Sequence, residues 1–236
     1  FDIPRLCGYK GRGIYMDADM QVFSDIRELW TWPLHGVQVA HCDHSSVKDR
    51  PPQYSVLLLD CDKLKWDVNE IVAGLDEGRY DYKQLMRDFC FVPDGEKAPV
   101  LPEGWNSLEK YTPGETRLIH YTDMNTQPWI SNKNKNGELW YRCLREAVED
   151  KCITLDYLNQ EIEAGHISPE ILKWAGLPDP HNYAKQKASF IPPYMRFAKN
   201  GILLQRLKNR LRQSDFVRHV ILQSRMVASI RRKLGV

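Results

Sequence analysis

The chain has 236 residues, of which 42% are hydrophobic, 27% charged and 11% aromatic. That length can bury a sizeable core, and the balance excludes a disordered, collagen-like or low-complexity protein. No apolar run reaches the ~18 residues of a membrane-spanning helix, and the opening FDIPRLCGYKGRG carries no targeting pattern.

The net charge of +2 hides a division. Ala184 to Val236 holds thirteen Lys and Arg against one acid, Asp215, which leaves 20 bases against 30 acids in the rest. The chain is an acidic body with a basic tail. Its six cysteines (Cys7, Cys42, Cys61, Cys90, Cys143, Cys152) are scattered without a C-x-x-C pair. That usage suits reduced, mostly buried thiols and a reducing cytoplasm better than a disulfide framework.

Taken in chain order, short β-rich runs alternate with helical patterns and predict an α/β domain. The expected strands are Gly13 to Met16, Val37 to Cys42, Ser55 to Leu59, Phe89 to Val92 and Arg117 to Tyr121. SVLLL is apolar at every position but the first, as a strand covered on both faces should be. Asp67 to Glu77 puts Val68, Ile71, Val72 and Leu75 on one helical stripe, with Asp67 and Glu70 spaced as a capping box and Gly78 as the stop. Further helices are expected over Glu138 to Lys151 and Leu155 to Ala164. Ala175 to Pro193 is rich in Pro, Gly and Asn and reads as a linker. Beyond it, Leu203, Leu207 and Leu211, then Phe216, Val220, Val227, Ile230 and Leu234, recur at helical spacing among bases, which predicts basic amphipathic helices.

The sharpest motif is IYMDADM (Ile14 to Met20), an apolar strand ending in two carboxylates two residues apart. Hard divalent cations take oxygen ligands, and carboxylates at a strand's carboxyl end face the crevice where α/β proteins bind ligands. A second such pair, Asp60 and Asp62, follows SVLLL. Turn acids at a strand end are the plain alternative for either pair. Late in the body, LIHYTDMNTQPW (Leu118 to Trp129) delivers His120 from a strand into a polar turn. HCDH (His41 to His44) lacks a second cluster to complete a zinc site, and GYKGRG (Gly8 to Gly13) precedes a strand instead of joining a strand to a helix, so both read as loops.

In this order, a strand-end D-x-D, a buried strand and helix, Trp105-Asn106, and a late His before Pro128-Trp129 resemble the family-8 retaining glycosyltransferases. That family includes glycogenin-like enzymes, galactinol synthases and bacterial lipopolysaccharide sugar transferases. The resemblance runs from about Phe1 to Trp129, points to a divergent bacterial branch, and implies a GT-A fold with a Rossmann-like, mostly parallel sheet and flanking helices. It matches Asp17, Asp19 and His120 to the family's metal ligands, and it passes over Asp60 and Asp62. Three positions depart: Gln53-Tyr54-Ser55 replaces Asn-x-Gly, Asp81-Tyr82-Lys83 replaces D-Q-D, and Gln127 replaces the Lys before Pro-Trp.

The resemblance implies a Mn2+ or Mg2+ ion on Asp17, Asp19 and His120, with Gln127 also at the cofactor side, a UDP-sugar donor, and an acceptor that is a glycan, a lipid-linked sugar or a small molecule. Gln53 would contact the sugar, and Asp81 is the candidate nucleophile if retention proceeds through an enzyme intermediate instead of front-face attack. The organisation expected is a glycosyltransferase domain over 1–174, a linker over 175–195 and a basic helical tail over 196–236. Only sixteen residues precede Asp17, so the βα units that hold base and ribose in the resembled fold are expected from a preceding segment or another chain. The tail suits the anionic inner face of a membrane, and nucleic acid is the poorer partner because the body is acidic. The competing function is a non-catalytic protein that binds membrane or nucleic acid through this tail.

Overall fold

The computed structural model describes residues 1–43, 52–185 and 190–193. In chain order the elements are α1 (Ile3–Leu6), β1 (Arg12–Met16), β2 (Met20–Val22), α2 (Ile26–Trp30), β3 (Val39–Cys42), β4 (Gln53–Asp60), α3 (Val68–Asp76), β5 (Lys97–Leu101), β6 (Ser107–Leu108), β7 (Leu118–His120), α4 (Gly137–Glu149), α5 (Leu155–Glu163) and α6 (Ile171–Trp174). The chain divides into two compact units, Phe1–Cys143 and Leu144–Val236, so α4 crosses the division.

The first unit carries two sheets, ordered β1-β4-β3-β5 and β2-β7-β6. The apolar run of β4 explains its place inside the larger sheet. Val56 and Leu58 enter a core with Leu29, Ala40, Trp105 and Leu118, while Leu57 and Leu59 enter another with Val39, Leu64, Phe89 and Val92. Each fully buried Leu stabilises by about 1.5–3 kcal/mol, so both faces of β4 hold the sheet in register.

The fold is mixed α/β, as expected, but the sheets are not mostly parallel. Of the five strand pairings among the described residues, β1 with β4, β3 with β4 and β2 with β7 are antiparallel, and only β3 with β5 and β6 with β7 are parallel. Burial on both faces is equally available to an antiparallel strand once two cores sandwich it, so the apolarity of SVLLL does not fix strand direction.

Phe89 to Val92 forms no strand. Gln84–Asp88 is a π-helical turn that ends on Phe89, whose φ of 51° lies in the left-handed region. The fifth strand of the chain is instead Lys97–Leu101, at the edge of its sheet, where Pro99 costs no ladder hydrogen bond. In α3, Asp67 caps by accepting from the Asn69 amide, and Ile71 is buried, but Val72 turns out to solvent.

In the second unit, Thr154 caps α5 by accepting from the Tyr157 amide, and Leu158 and Ile162 form its buried stripe. Residues following α6 are pinned by Asp179, which accepts from the amides of Tyr183 and Ala184, and Tyr183 donates its hydroxyl to Glu163 at 2.6 Å. The expected basic helices of 196–236, and His44 of the HCDH run, lie outside the described residues. Among the described residues no helix is long and apolar enough to cross a membrane.

Candidate metal centre

Asp17, Ala18 and Asp19 are the link by which the chain leaves one sheet and enters the other. Each carboxylate is therefore anchored to a different ladder. The Asp17 amide donates to Ser55 O at 3.1 Å, continuing the β1–β4 pairing, and Asp19 O accepts from the Tyr121 amide at 2.9 Å, continuing the β2–β7 pairing. His120 closes β7, where it pairs with Met20 across the strands. Two short ladders thus bring together residues a hundred positions apart in the chain.

The three side chains offer ligand atoms that all lie within 4.8 Å of one another. His120 Nε2 is 3.0 Å from Asp19 Oδ1 and 3.8 Å from Asp17 Oδ2. The His120 side chain is 7% exposed, whereas those of Asp17 and Asp19 are 33% and 29% exposed, so the cluster opens to solvent on its carboxylate side.

The remaining polar atoms of the cluster are held from behind. His120 Nδ1 lies 3.0 Å from Asn106 Oδ1, an acceptor, so the Nδ1 proton is committed there and Nε2 is the nitrogen presented to the carboxylates. Asn106 is fully buried next to Trp105, which fixes its position. Gln127 Nε2 donates to Asp19 Oδ2 at 3.2 Å and to Tyr121 O at 3.0 Å. Tyr15 donates its hydroxyl to Asp17 Oδ1 at 2.5 Å. Burial, then the hydrogen bond to Asp17, pushes the Tyr15 phenol up to about 12, so it remains a donor throughout the physiological range.

Glu109 orders the turn after His120. Its backbone amide donates to His120 O, and its carboxylate accepts from the Asp123 amide at 2.8 Å and from Asn134 Nδ2 at 3.2 Å. Glu109 does this with φ of 55°, in the left-handed region that costs a side-chain-bearing residue free energy. The strain is held by these contacts, and the turn they fix carries Gln127 to Asp19.

The other expected residues fall into place around the cluster or away from it. Gln53, at the start of β4, lines a cavity of about 370 Å³ together with Asp17 and Tyr15. Asp81 is not among the residues of that cavity or of the cluster: its Oδ1 accepts from the Gln84 amide and its own amide donates to Gln84 Oε1, a reciprocal cap on the following turn. The second D-x-D serves the fold, since Asp60 pairs with Lys63 at 3.0 Å and Asp62 Oδ2 accepts from the Gly11 amide at 3.1 Å. Asn106 stood out in the sequence only as part of the Trp105-Asn106 pair, with no role assigned, and Tyr15 and Glu109 were not singled out. The period of two along β1 places Tyr15 on the face of Asp17, and that signal was available.

A mixed set of two carboxylates and one imidazole fits a hard to borderline divalent ion such as Mg2+ or Mn2+. Asp17, Asp19 and His120 could hold it, with Asn106 fixing the imidazole tautomer and Gln127 and Tyr15 orienting the carboxylates.

No protein-family model and no curated protein matches the chain. Among solved structures it is similar to the glycosyltransferase GlyE of Streptococcus pneumoniae TIGR4, at 17% identity and a TM-score of 0.46, over 59% of this chain and 41% of that one. The apo form of GlyE gives 17% identity and a TM-score of 0.45, over 59% and 40% of the two chains. The galactosyltransferase LgtC, solved with donor and acceptor sugar analogs, gives 13% identity and a TM-score of 0.40, over 58% and 64%. The chain thus spans about two fifths of GlyE.

Proposed function

We propose that this chain is the metal-binding part of a glycosyltransferase of the family-8 type, which moves a sugar from a nucleotide-sugar donor, a UDP-sugar, to a glycan, lipid-linked or small-molecule acceptor. The observation that carries the reading is the cluster itself: Asp17, Asp19 and His120 converge from two sheets with Nε2 of His120 turned toward both carboxylates.

A nucleotide-sugar donor leaves behind a nucleoside diphosphate, and a bound Mn2+ or Mg2+ ion supplies the positive charge that stabilises this leaving group. The protein's part is positional. Asp17 and Asp19 would hold the ion from separate ladders, and the buried Asn106 accepts from His120 Nδ1, which leaves Nε2 as the nitrogen that would ligate. Gln127, where the family pattern has a cationic Lys, directs its amide to Asp19, so it orients a ligand instead of neutralising phosphate. Gln53 stands in the adjoining cavity as the sugar contact. With the Asp81 carboxylate engaged in a cap, retention by front-face attack is the route these positions favour over a covalent intermediate on Asp81.

The basic run of 196–236 is assigned in this reading to anionic membrane surfaces, with the enzyme at the membrane's cytoplasmic face and nucleic acid the poorer partner for an acidic body. The deciding assay is metal-dependent hydrolysis of UDP-sugars by the complete enzyme, with the segment that holds base and ribose present. Hydrolysis that follows Mn2+ or Mg2+ and stops with chelator supports the reading. Absence of any UDP-sugar binding by the complete enzyme, in which this part still binds Mn2+, overturns it.

A further inference from the structure

Cys7 and Cys61 stand far apart in the chain and reach one point of the fold. Cys7 caps α1, and the chain then reverses through Gly8 and Tyr9, both left-handed with φ of 65° and 56°, to enter β1. Three contacts lace this turn to the end of β4 and the turn after it. The Cys61 amide donates to Gly11 O at 2.8 Å, the Gly11 amide donates to Asp62 Oδ2 at 3.1 Å, and the Tyr9 hydroxyl donates to Trp66 O at 3.2 Å. The side chains follow the backbone. Cys7 Sγ faces Arg12 O at 3.9 Å, and Cys61 Sγ lies over the next residue of β1, where a Cβ on Gly13 would stand 3.2 Å from it. The two thiols meet there as hydrogen-bond partners.

Their surroundings give them unequal roles. Cys7 is exposed, whereas Cys61 is fully buried. Burial, then Cys7 beside it, pushes the Cys61 thiol up to about 11. A reagent in solvent therefore meets Cys7 first, and Cys61 waits behind it. As an intramolecular neighbour, Cys61 can attack a modified Cys7 at a high effective concentration, which offsets its small thiolate fraction.

We propose that Cys7 and Cys61 form a reversible thiol–disulfide pair, oxidised by small-molecule disulfides of the glutathione type. The Cys7 thiolate attacks one sulfur of the small disulfide, so a mixed disulfide forms and one small thiolate leaves, taking up the proton Cys7 gave. Cys61 Sγ then attacks the Cys7 sulfur. The Cys7–Cys61 bond forms, the mixed disulfide breaks, and the Cys61 proton goes to the second small thiolate. Two protein thiols are oxidised, and one small disulfide is reduced to two thiols. The bond pins α1 to the end of β4, and its exposed Cys7 sulfur leaves it open to reduction. Ile3 of α1 and Phe1 before it line the cavity that Asp17 also lines, so the redox state of the pair sets how firmly that wall is held.

The test incubates the reduced full chain with glutathione disulfide at pH 8, quenches with acid, and reads intact mass and non-reduced peptide maps. The proposal expects one intramolecular bond, Cys7 to Cys61, that dithiothreitol reverses, while Cys90 and Cys152, which are also exposed, take up glutathione only. The oxidised chain should melt several degrees higher, because the bond closes the long loop between the two residues. Cys61→Ser should stop at a stable mixed disulfide of Cys7 with glutathione, and Cys7→Ser should leave Cys61 unmodified in the folded protein. Cys7 of the natural chain ending as a glutathione mixed disulfide, or bonded to a cysteine other than Cys61, would overturn the proposal. So would a Cys7–Cys61 bond that forms only in denaturant.

Discussion

Truncating Asn106 should separate metal binding from the metal ligands themselves, because Asn106 touches no ion and acts only through His120. Its Oδ1 is the acceptor 3.0 Å from His120 Nδ1, and the residue is fully buried. Asn106→Ala leaves the buried Nδ1 without that acceptor, which costs about 1–3 kcal/mol. For a chain of this size that lowers the melting temperature by roughly 2–4 °C per kcal/mol. The imidazole is also released to turn or to carry its proton on Nε2. Loss of such an outer partner weakens metal binding by about 10–100-fold. Asn106→Asp keeps an acceptor facing Nδ1 and should hold Mn2+ affinity within a few-fold of the natural residue. The assay is a Mn2+ titration followed by electron paramagnetic resonance, with a thermal melt and the 15N tautomer signature of His120 recorded on each variant. Asn106→Ala binding Mn2+ with unchanged affinity and an unchanged tautomer, whatever its stability, would refute the argument.

Other consequences follow from separate features. Gly104→Ala places a Cβ 2.5 Å from Glu115 O, a backbone atom that cannot swing aside, so it should destabilise by about 1–3 kcal/mol in a denaturant titration. Burial pushes the Cys61 thiol up to about 11 and raises that of Cys42, whereas Cys7 and Cys152 are exposed. A thiol reagent at pH 8 should therefore label Cys7 and Cys152 in the native protein and reach Cys42 and Cys61 only on unfolding. Tyr15 and Tyr141 are both raised to about 12, chiefly by burial, from an ordinary value of 10.0. The folded state favours their neutral phenols, so the stability they contribute is present below pH 10 and is lost as pH climbs toward 12. A spectrophotometric tyrosinate titration should show these phenols, together with those of Tyr54, Tyr121 and Tyr183, which are raised as well, lagging the rest until the fold opens. Anionic vesicles should sediment the full chain and not one lacking residues 197–236, and equal sedimentation of both would remove the membrane assignment of the basic tail.

What the sequence made legible was local. Asp17 and Asp19 sit two residues apart after an apolar run, so their proximity and strand-end position could be read directly, and α3, α4 and α5 follow from periodicity and caps. Strand direction was not legible, because apolarity on both faces of β4 reports burial and not polarity of the chain. β5 was missed because Pro99 argues against a strand and the aromatic run Phe89 to Val92 argues for one. Tertiary packing reversed both, since those aromatic rings serve the core from a turn and an edge strand tolerates the proline. His120 joined the carboxylates only through the family resemblance, as no spacing rule spans a hundred residues. The roles of Asn106 and Glu109 depend on a buried hydrogen bond and on a left-handed backbone, neither of which leaves a mark in residue type alone.

The claim that Asp17, Asp19 and His120 form one metal site of a glycosyltransferase is tested most directly by the Mn2+ dependence of UDP-sugar hydrolysis in five variants of the complete enzyme. Asp17→Asn, Asp19→Asn and His120→Ala should each lower the initial rate by at least about 10², and pairs of them should add little more, because one loss already breaks the site. Asp60→Asn and Asp62→Asn, which remove a pairing to Lys63 and a bond to the Gly11 amide, should keep the full metal response. Loss of metal dependence on changing Asp60 or Asp62, with Asp17→Asn still responding to Mn2+ as the natural protein does, would contradict the account.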